Sequence, residues 1–441
     1  MSARIRRPSP AEGGVAAEAG VSPEAGAPPA GAPLRSPWRH VAQAAAALAT
    51  GMGVGRFVYT PILPLMHAQA GLSASAGANL ATANYAGYLI GAVAGGLAPA
   101  LVRSPLLLRT ALVVLAASLA AMPLTHSVTV WIVLRLLAGV MSALIFVIAA
   151  SSLLGHLRDH PAHLPGWAFG GVGAGIALSG LLVLVLRSLA GWQAAWWSAA
   201  ALAGLLAAAS WNLRPEPAPA AAPSIPAHRR ATSATATATP ETAPSPAPKA
   251  RTHRWFGALF VSYSLEGVGY IVAGTFLVAA IEQTSPGWMG NGAWVLVGLA
   301  AVPSAALWAR LGRRWSRPGL LCVALVVQAV GIALPGLVGG AAPALVSAVL
   351  FGGTFIGIST LALATGAHLR FPRSVALLTA GYSVGQILGP LVVTPLLRNG
   401  YHEALLLAAL VVLAAAAAAG LLRVGFPHHP GRVARPRGRR E

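Results

Sequence analysis

The sequence predicts an all-α membrane protein of twelve transmembrane helices in two six-helix pseudo-repeats. Three observations carry that prediction. Of the 441 residues, 56% are hydrophobic and only 9% charged, where a soluble chain of this size carries about a quarter charged residues. The apolar residues fall in runs of about 20, the length that crosses a bilayer. The chain also repeats itself. GVG at residues 53–55 returns at 267–269, and His-Leu-Arg at 156–158 returns at 368–370.

Taken in order, residues 1–40 are rich in Ala, Gly, Pro and Ser and are expected as a disordered cytoplasmic tail. The Arg6-Arg7 pair is not followed by an apolar core, so a secretory signal is not expected there. Cutting at charges, prolines and polar clusters gives spans at 41–66, 78–101, 106–124, 129–154, 166–186 and 192–213, which make an N-terminal half of 41–213. Residues 214–254 are dominated by Pro, Ala, Thr and Ser and cannot bury enough to fold, so they are expected as a flexible cytoplasmic linker. A second half, 255–422, carries spans at 255–281, 292–309, 318–337, 342–366, 375–397 and 404–422. A basic tail, 423–441, closes the chain.

Orientation follows from where Lys and Arg fall. With both termini and the linker cytoplasmic, all of the 30 basic residues lie on cytoplasmic tails, loops or helix ends except Arg56, Arg135, Arg187 and Arg398. That placement also argues against nucleic acid as the partner of a chain with net charge +20, because the arginines form no single basic face. Cys322 is the one cysteine, so neither a disulfide framework nor a cysteine metal site is possible. No His/Asp/Glu cluster suits metal or acid–base chemistry, and no Gly-rich nucleotide loop appears. An enzyme, an ATP-driven pump and a bound cofactor are therefore not expected.

Small residues recur at four-residue spacing: Gly171, Gly175 and Ser179 in the fifth span, and Gly381, Gly385 and Gly389 in the eleventh. Gly87, Gly91 and Gly95 form a similar ridge on the second span, which reads as helix packing.

Twelve spans, a central linker and a six-plus-six repeat resemble the major facilitator superfamily. Arg135-Leu-Leu-Ala-Gly139 in the fourth span resembles its RxxxG-type motif, with Ala138 in place of the usual glutamine. Ala309-Arg310-Leu-Gly312-Arg313-Arg314 resembles its DRxGRR loop, with Ala309 in place of the aspartate. GVGRFVYTPILPLM, together with Asn84-Tyr85-Ala-Gly87-Tyr88, is similar to the YbfB/YjiJ-type branch. The resemblance implies the major facilitator fold, alternating access, a gating loop at Arg310, Gly312, Arg313 and Arg314, and a central cavity between the first and seventh spans. It names no cargo.

Arg56 lies in mid-span with no acid within ten residues. A charge at that depth costs roughly 3 kcal/mol and is seldom idle. Two readings stand for it: a substrate ligand in the cavity, or a packing residue bonded to backbone carbonyls near the Gly-rich turn. The single Asp, Asp159, lies in a loop, and of nine Glu only Glu266 falls well inside a span. Glu266 is thus the candidate proton carrier or counter-ion, pairing with Arg56 directly or through substrate. Arg135 reads as a second coupling residue, or as a side chain snorkelling to the nearer surface. Tyr59, Asn84 and Tyr88, with Tyr270 beside Glu266, are candidate cavity contacts or interhelical hydrogen bonders. Pro61 and Pro64 predict a bend at the far end of the first span.

The function expected is proton-coupled secondary transport of a small anionic or zwitterionic organic solute across the bacterial inner membrane, by a monomer embedded in the bilayer. Two alternatives remain: efflux of lipophilic cations with Glu266 as their partner, and a sensor or assembly protein with a transporter fold.

Overall fold

The computed structural model describes residues 37–157, 164–214, 247–285, 287–424 and 426. The expected N-terminal tail up to residue 36, most of the linker and all but the first residues of the basic tail lie outside these. Twelve helices make the bundle, and we number them α1 to α12. The N-terminal half holds α1 (Pro37–Ala70), α2 (Ala74–Leu97), α3 (Pro105–Ala121), α4 (Val128–His156), α5 (Leu164–Leu186) and α6 (Trp192–Ser210). The second half holds α7 (Ala247–Thr284), α8 (Met289–Leu311), α9 (Arg317–Leu337), α10 (Ala341–His368), α11 (Ser374–Val393) and α12 (His402–Leu421).

Ten of these helices are long and apolar enough to cross a membrane by length and composition. The exceptions, α2 and α6, are diluted by Ser, Asn, Gln, Tyr and Trp. Helix α7 starts at Ala247, inside the stretch expected as linker, so the end of that stretch is helical and continues the seventh span.

Small residues set the packing, as they do where helices meet without a hydrophobic drive between them. In the first half α2 lies along α4 and α1 along α5; in the second α7 lies along α11 and α12, and α8 along α10. Gly175 meets the carbonyl of Ala49 on α1, and Gly385 meets that of Ser264 on α7. The same α1–α5 contact is thus repeated as α7–α11. The halves join where α5 runs along α8 and α2 along α11, with α1 against α7 between them. Gly170, Gly173 and Gly298 bring the backbones of α5 and α8 together.

Helix α1 is interrupted. It runs as α-helix over Pro37–Leu48, as a π-turn over Ala49–Val54, loosens through 55–58 and resumes at Tyr59. The bend expected at Pro61 and Pro64 therefore falls earlier, in the Gly51, Gly53, Gly55 segment. Gly53 presses its backbone on α5, where an added Cβ would lie 2.5 Å from Gly175 Cα. Pro61 sits in the first turn of the resumed helix, where its missing N–H is tolerated.

Candidate functional site at the seam of the two halves

A broken helix in lipid must have its freed carbonyls satisfied. Past the break the N–H of Thr60 bonds to Phe57 O rather than to Arg56 O. Arg135 fills the gap: its Nη1 donates to Gly55 O (3.2 Å) and its Nη2 to Arg56 O (3.1 Å). Its guanidinium also lies over the Tyr59 ring, 4.9 Å from the centroid. Helix α2 holds this arrangement in place. Asn84 Nδ2 donates to Arg135 O (2.9 Å), Tyr59 donates from its hydroxyl to Gly77 O (2.9 Å), and Gly139 lets the α2 backbone approach.

Three expectations bear on this arrangement. Arg135 does not snorkel, being 1% exposed, and no hydrogen bond or ion pair joins it to Glu266. Tyr59 and Asn84, expected as cavity contacts or interhelical hydrogen bonders, donate to backbone carbonyls inside the first half, as the second reading has it. The role expected of Arg56 under its packing reading, holding carbonyls at the Gly-rich turn, belongs to Arg135.

Arg56 is also buried, at 2% exposure, but it points across the seam. Its Nη2 donates to Gln386 Oε1 on α11 (2.6 Å). Three rings surround the guanidinium: Tyr88 at 4.4 Å, Tyr85 at 4.9 Å and Phe57 at 5.4 Å. Such cation–π contacts stabilise a desolvated cation by about 2 kcal/mol. No acid is paired with it, and its Nε has no hydrogen-bond partner. Gln386 in turn donates from Nε2 to the Tyr270 hydroxyl at 3.5 Å, a long contact.

Glu266 lies one turn before Tyr270 and is fully buried. The carboxyl faces the side-chain amide of Gln328 on α9, though the two do not meet the geometry of a full hydrogen bond. The direct Arg56–Glu266 pair expected as one possibility is absent. Tyr270 is within electrostatic reach of both. Tyr263 and Tyr382 stack at 4.5 Å, and Tyr382 and Tyr270 at 5.5 Å, so a row of phenols lies near the carboxyl.

Arg56 and Tyr270 are 214 positions apart, as are Thr60 and Gly274. Thr60 donates from its hydroxyl to Gly274 O. Equivalent positions of a two-fold repeat touch only near its axis, so this bond marks the pseudo-symmetry axis one turn beyond Arg56. Further toward the end away from the termini, other ties join the halves. His67 Nε2 meets the Tyr401 hydroxyl at 2.8 Å, and Arg187 pairs with Glu282 at 3.0 Å. At the opposite end Arg310, Arg313 and Arg314 are exposed, and Gly312 caps α8 by donating its N–H to Trp308 O and Arg310 O.

Sequence reasoning missed Gln386, Gln328, Tyr382 and the rings of Trp294, Phe351 and Phe355. A mid-span glutamine was the available signal for the first two; aromatic residues in apolar runs gave none.

Two pseudo-symmetric six-helix halves in a membrane, with buried polar groups at their seam, define a membrane transporter of the major facilitator fold. The family model described as "Uncharacterised MFS-type transporter YbfB" matches residues 48–420. The chain belongs to that family. No curated relative matches it. Among solved structures it is similar to the crystal structure of a point mutant of the nucleoside transporter NupG. The TM-score is 0.65 at 13% identity, covering 87% of this chain and 99% of that one.

Proposed function

We propose that this transporter moves a small organic anion or zwitterion by alternating access, coupled to protons through Glu266. The observation that carries the reading is Arg56: a buried cation, unpaired with any acid, that reaches across the seam between the halves. A low-dielectric site with such a charge favours a negative group. Efflux of lipophilic cations is disfavoured, because Arg56 would repel the cargo. Nucleosides, the cargo in NupG's name, are not carried over, since 13% identity speaks to the fold alone.

Glu266 is a carboxyl faced by an amide and phenols. A proton on it removes the cost of burying a charge, and its release requires the surroundings to open. Inner-membrane placement with cytoplasmic termini rests on the distribution of Lys and Arg. Arg310, Arg313 and Arg314 then form a cytoplasmic loop free to meet acidic groups or lipid phosphates as the halves rock.

The test begins with a thermal-shift screen of the purified protein against metabolite acids, bases and zwitterions, since a ligand of the folded state raises its apparent stability. Flux of the stabilising solute is then measured in proteoliposomes with and without a pH gradient. Glu266→Gln should exchange solute normally and lose accumulation driven by the gradient. Accumulation at the wild-type level in Glu266→Gln overturns the carrier role, and absence of any flux favours a sensor.

A further inference from the structure

On the flank of the first half, away from the seam, a groove of about 720 Å³ runs between α3 and α6. Seven of the eleven residues lining it are Ala or Gly, and none is charged. Val113 in its wall is 53% exposed, and a Cβ added at Gly204 would meet nothing within 4 Å. The small side chains thus leave an open apolar furrow on a surface that faces hydrocarbon. From Trp211 back to Ala200 the lining covers eleven residues, about 17 Å of helix. One leaflet of a ~30 Å hydrocarbon core is roughly 15 Å deep. A partner helix would need a furrow along the full depth of the membrane; this one matches a single leaflet.

One end of the groove is polar and positive. Arg109 lies in the second turn of α3, where its Nε donates to Trp211 O at 3.2 Å and its guanidinium rests over the Trp211 ring at 5.3 Å. This hold fixes the side chain at the mouth, and neither Nη group bonds to any described residue. Asn212 is part of the lining there, and Arg103 and Arg214 are exposed just outside the ends of the two helices. Ser152 meets both His40 and the carbonyl of Arg214, so the mouth lies at the end of the bundle where α1 begins. The described residues of the first half contain no Asp or Glu, so these cations have no counter-ion in their own half. Tryptophan and arginine gather at the edge of hydrocarbon, and basic pockets between spans on the cytoplasmic side take anionic head groups. A planar guanidinium with free N–H groups suits a phosphate.

We propose that this groove binds one anionic phospholipid, its phosphate on the Nη groups of Arg109 and an acyl chain along Ala116, Ala120, Gly204 and Ala208. The site is separate from the seam and does not depend on which solute is carried or on Glu266.

The test is quenching of Trp211 in the purified full-length protein by phospholipids brominated near the head-group end of their acyl chains, which quench an indole on contact. Phosphatidylglycerol and phosphatidylcholine with the same chains are compared, and the signal of Trp211 is the difference between wild type and Trp211→Phe. Phosphatidylglycerol should quench at about fivefold lower concentration, the value of one arginine beside an anionic lipid. Salt at about 1 M should erase the difference. Arg109→Gln should erase it too, while Arg109→Lys should keep part of it. Gly204→Leu fills the groove and should abolish saturable quenching by both lipids. Thermal unfolding shows that each variant is folded, and the salt series needs no variant. Equal quenching by the two lipids at low salt, a preference that survives Arg109→Gln, or saturable quenching unchanged in Gly204→Leu overturns the proposal. A dimer that Gly204→Leu dissociates, with no quenching by either lipid, also overturns it and assigns the groove to a second copy of this chain.

Discussion

Arg135 and Arg56 are both buried guanidinia within one turn of the break in α1, yet their N–H groups are used differently. Arg135 forks onto two carbonyls of the interrupted backbone, stays within its own half and rests on a tyrosine fixed to α2. Arg56 reaches across the seam and holds one amide oxygen among three rings, while the Nε of each arginine has no partner. One replaces hydrogen bonds that the helix lost. The other ties one half to the other through Gln386, and it is the one we propose as the solute's ligand. Burial and charge alone do not tell these two arginines apart; where their partners lie does, the backbone of one half for Arg135 and a side chain across the seam for Arg56.

The sharpest break of this comparison is Arg135→Leu. It leaves Gly55 O and Arg56 O without donors in a dry site, each worth about 1–3 kcal/mol, somewhat less where the membrane-unfolded state finds partners of its own. A loss of about 2 kcal/mol or more is expected, read as a marked fall in thermal unfolding temperature in detergent. Unchanged stability would mean that water already serves those carbonyls.

Arg56→Leu should do the reverse. Folding should be held within about 1 kcal/mol, because an apolar side chain among rings replaces a costly buried cation. Affinity for the solute identified by the thermal-shift screen should fall about 10- to 100-fold, the value of one or two hydrogen bonds to a charged group. A variant that unfolds while keeping affinity would invert the assignment.

Gly139→Ala tests how Arg135 is aimed. Its Cβ would lie 2.0 Å from Asn84 O, so α2 and α4 must separate, at about 1–3 kcal/mol. Gly204→Ala on α6, where the space is open, should cost nothing. Equal effects at the two glycines would show that the close α2–α4 approach is not needed.

The smallest effect is expected from Gln386→Leu. Losing one hydrogen bond of about 0.5–1.5 kcal/mol frees Arg56 Nη2 and loosens its aim. Affinity should fall about two- to tenfold, with stability lowered by about the value of that one hydrogen bond. A loss as large as that of Arg56→Leu would make Gln386 a ligand in its own right.

Much of the architecture was legible beforehand. The twelve spans and the repeat come from apolar run length and recurring glycines, properties that a bilayer reads residue by residue. The site was legible in part. Arg56 and Glu266 stand out because a charge in an apolar run is costly wherever the helix later packs. For Tyr59, Asn84 and Arg135 the sequence left two readings open, because a polar side chain in a span looks the same whether it meets a cavity or a neighbouring carbonyl. The seventh helix began earlier than expected, since Ala-Pro-Lys-Ala read as linker and the chain continues it as helix.

What the sequence by itself determined is therefore the set of things set by local composition: membrane residence, twelve helices, two related halves, and which charges are out of place. Tertiary structure decided the pairings, because a hydrogen bond needs two groups at one distance and one angle, and the chain brings Arg56 to Gln386 across 330 positions. It also decided that Glu266 faces Gln328 rather than Arg56, and that ordinary aromatic residues of α1, α7, α8 and α10 meet at the seam. Stacked rings have no signature along the chain; only helix rotation and contact across the seam make them a surface.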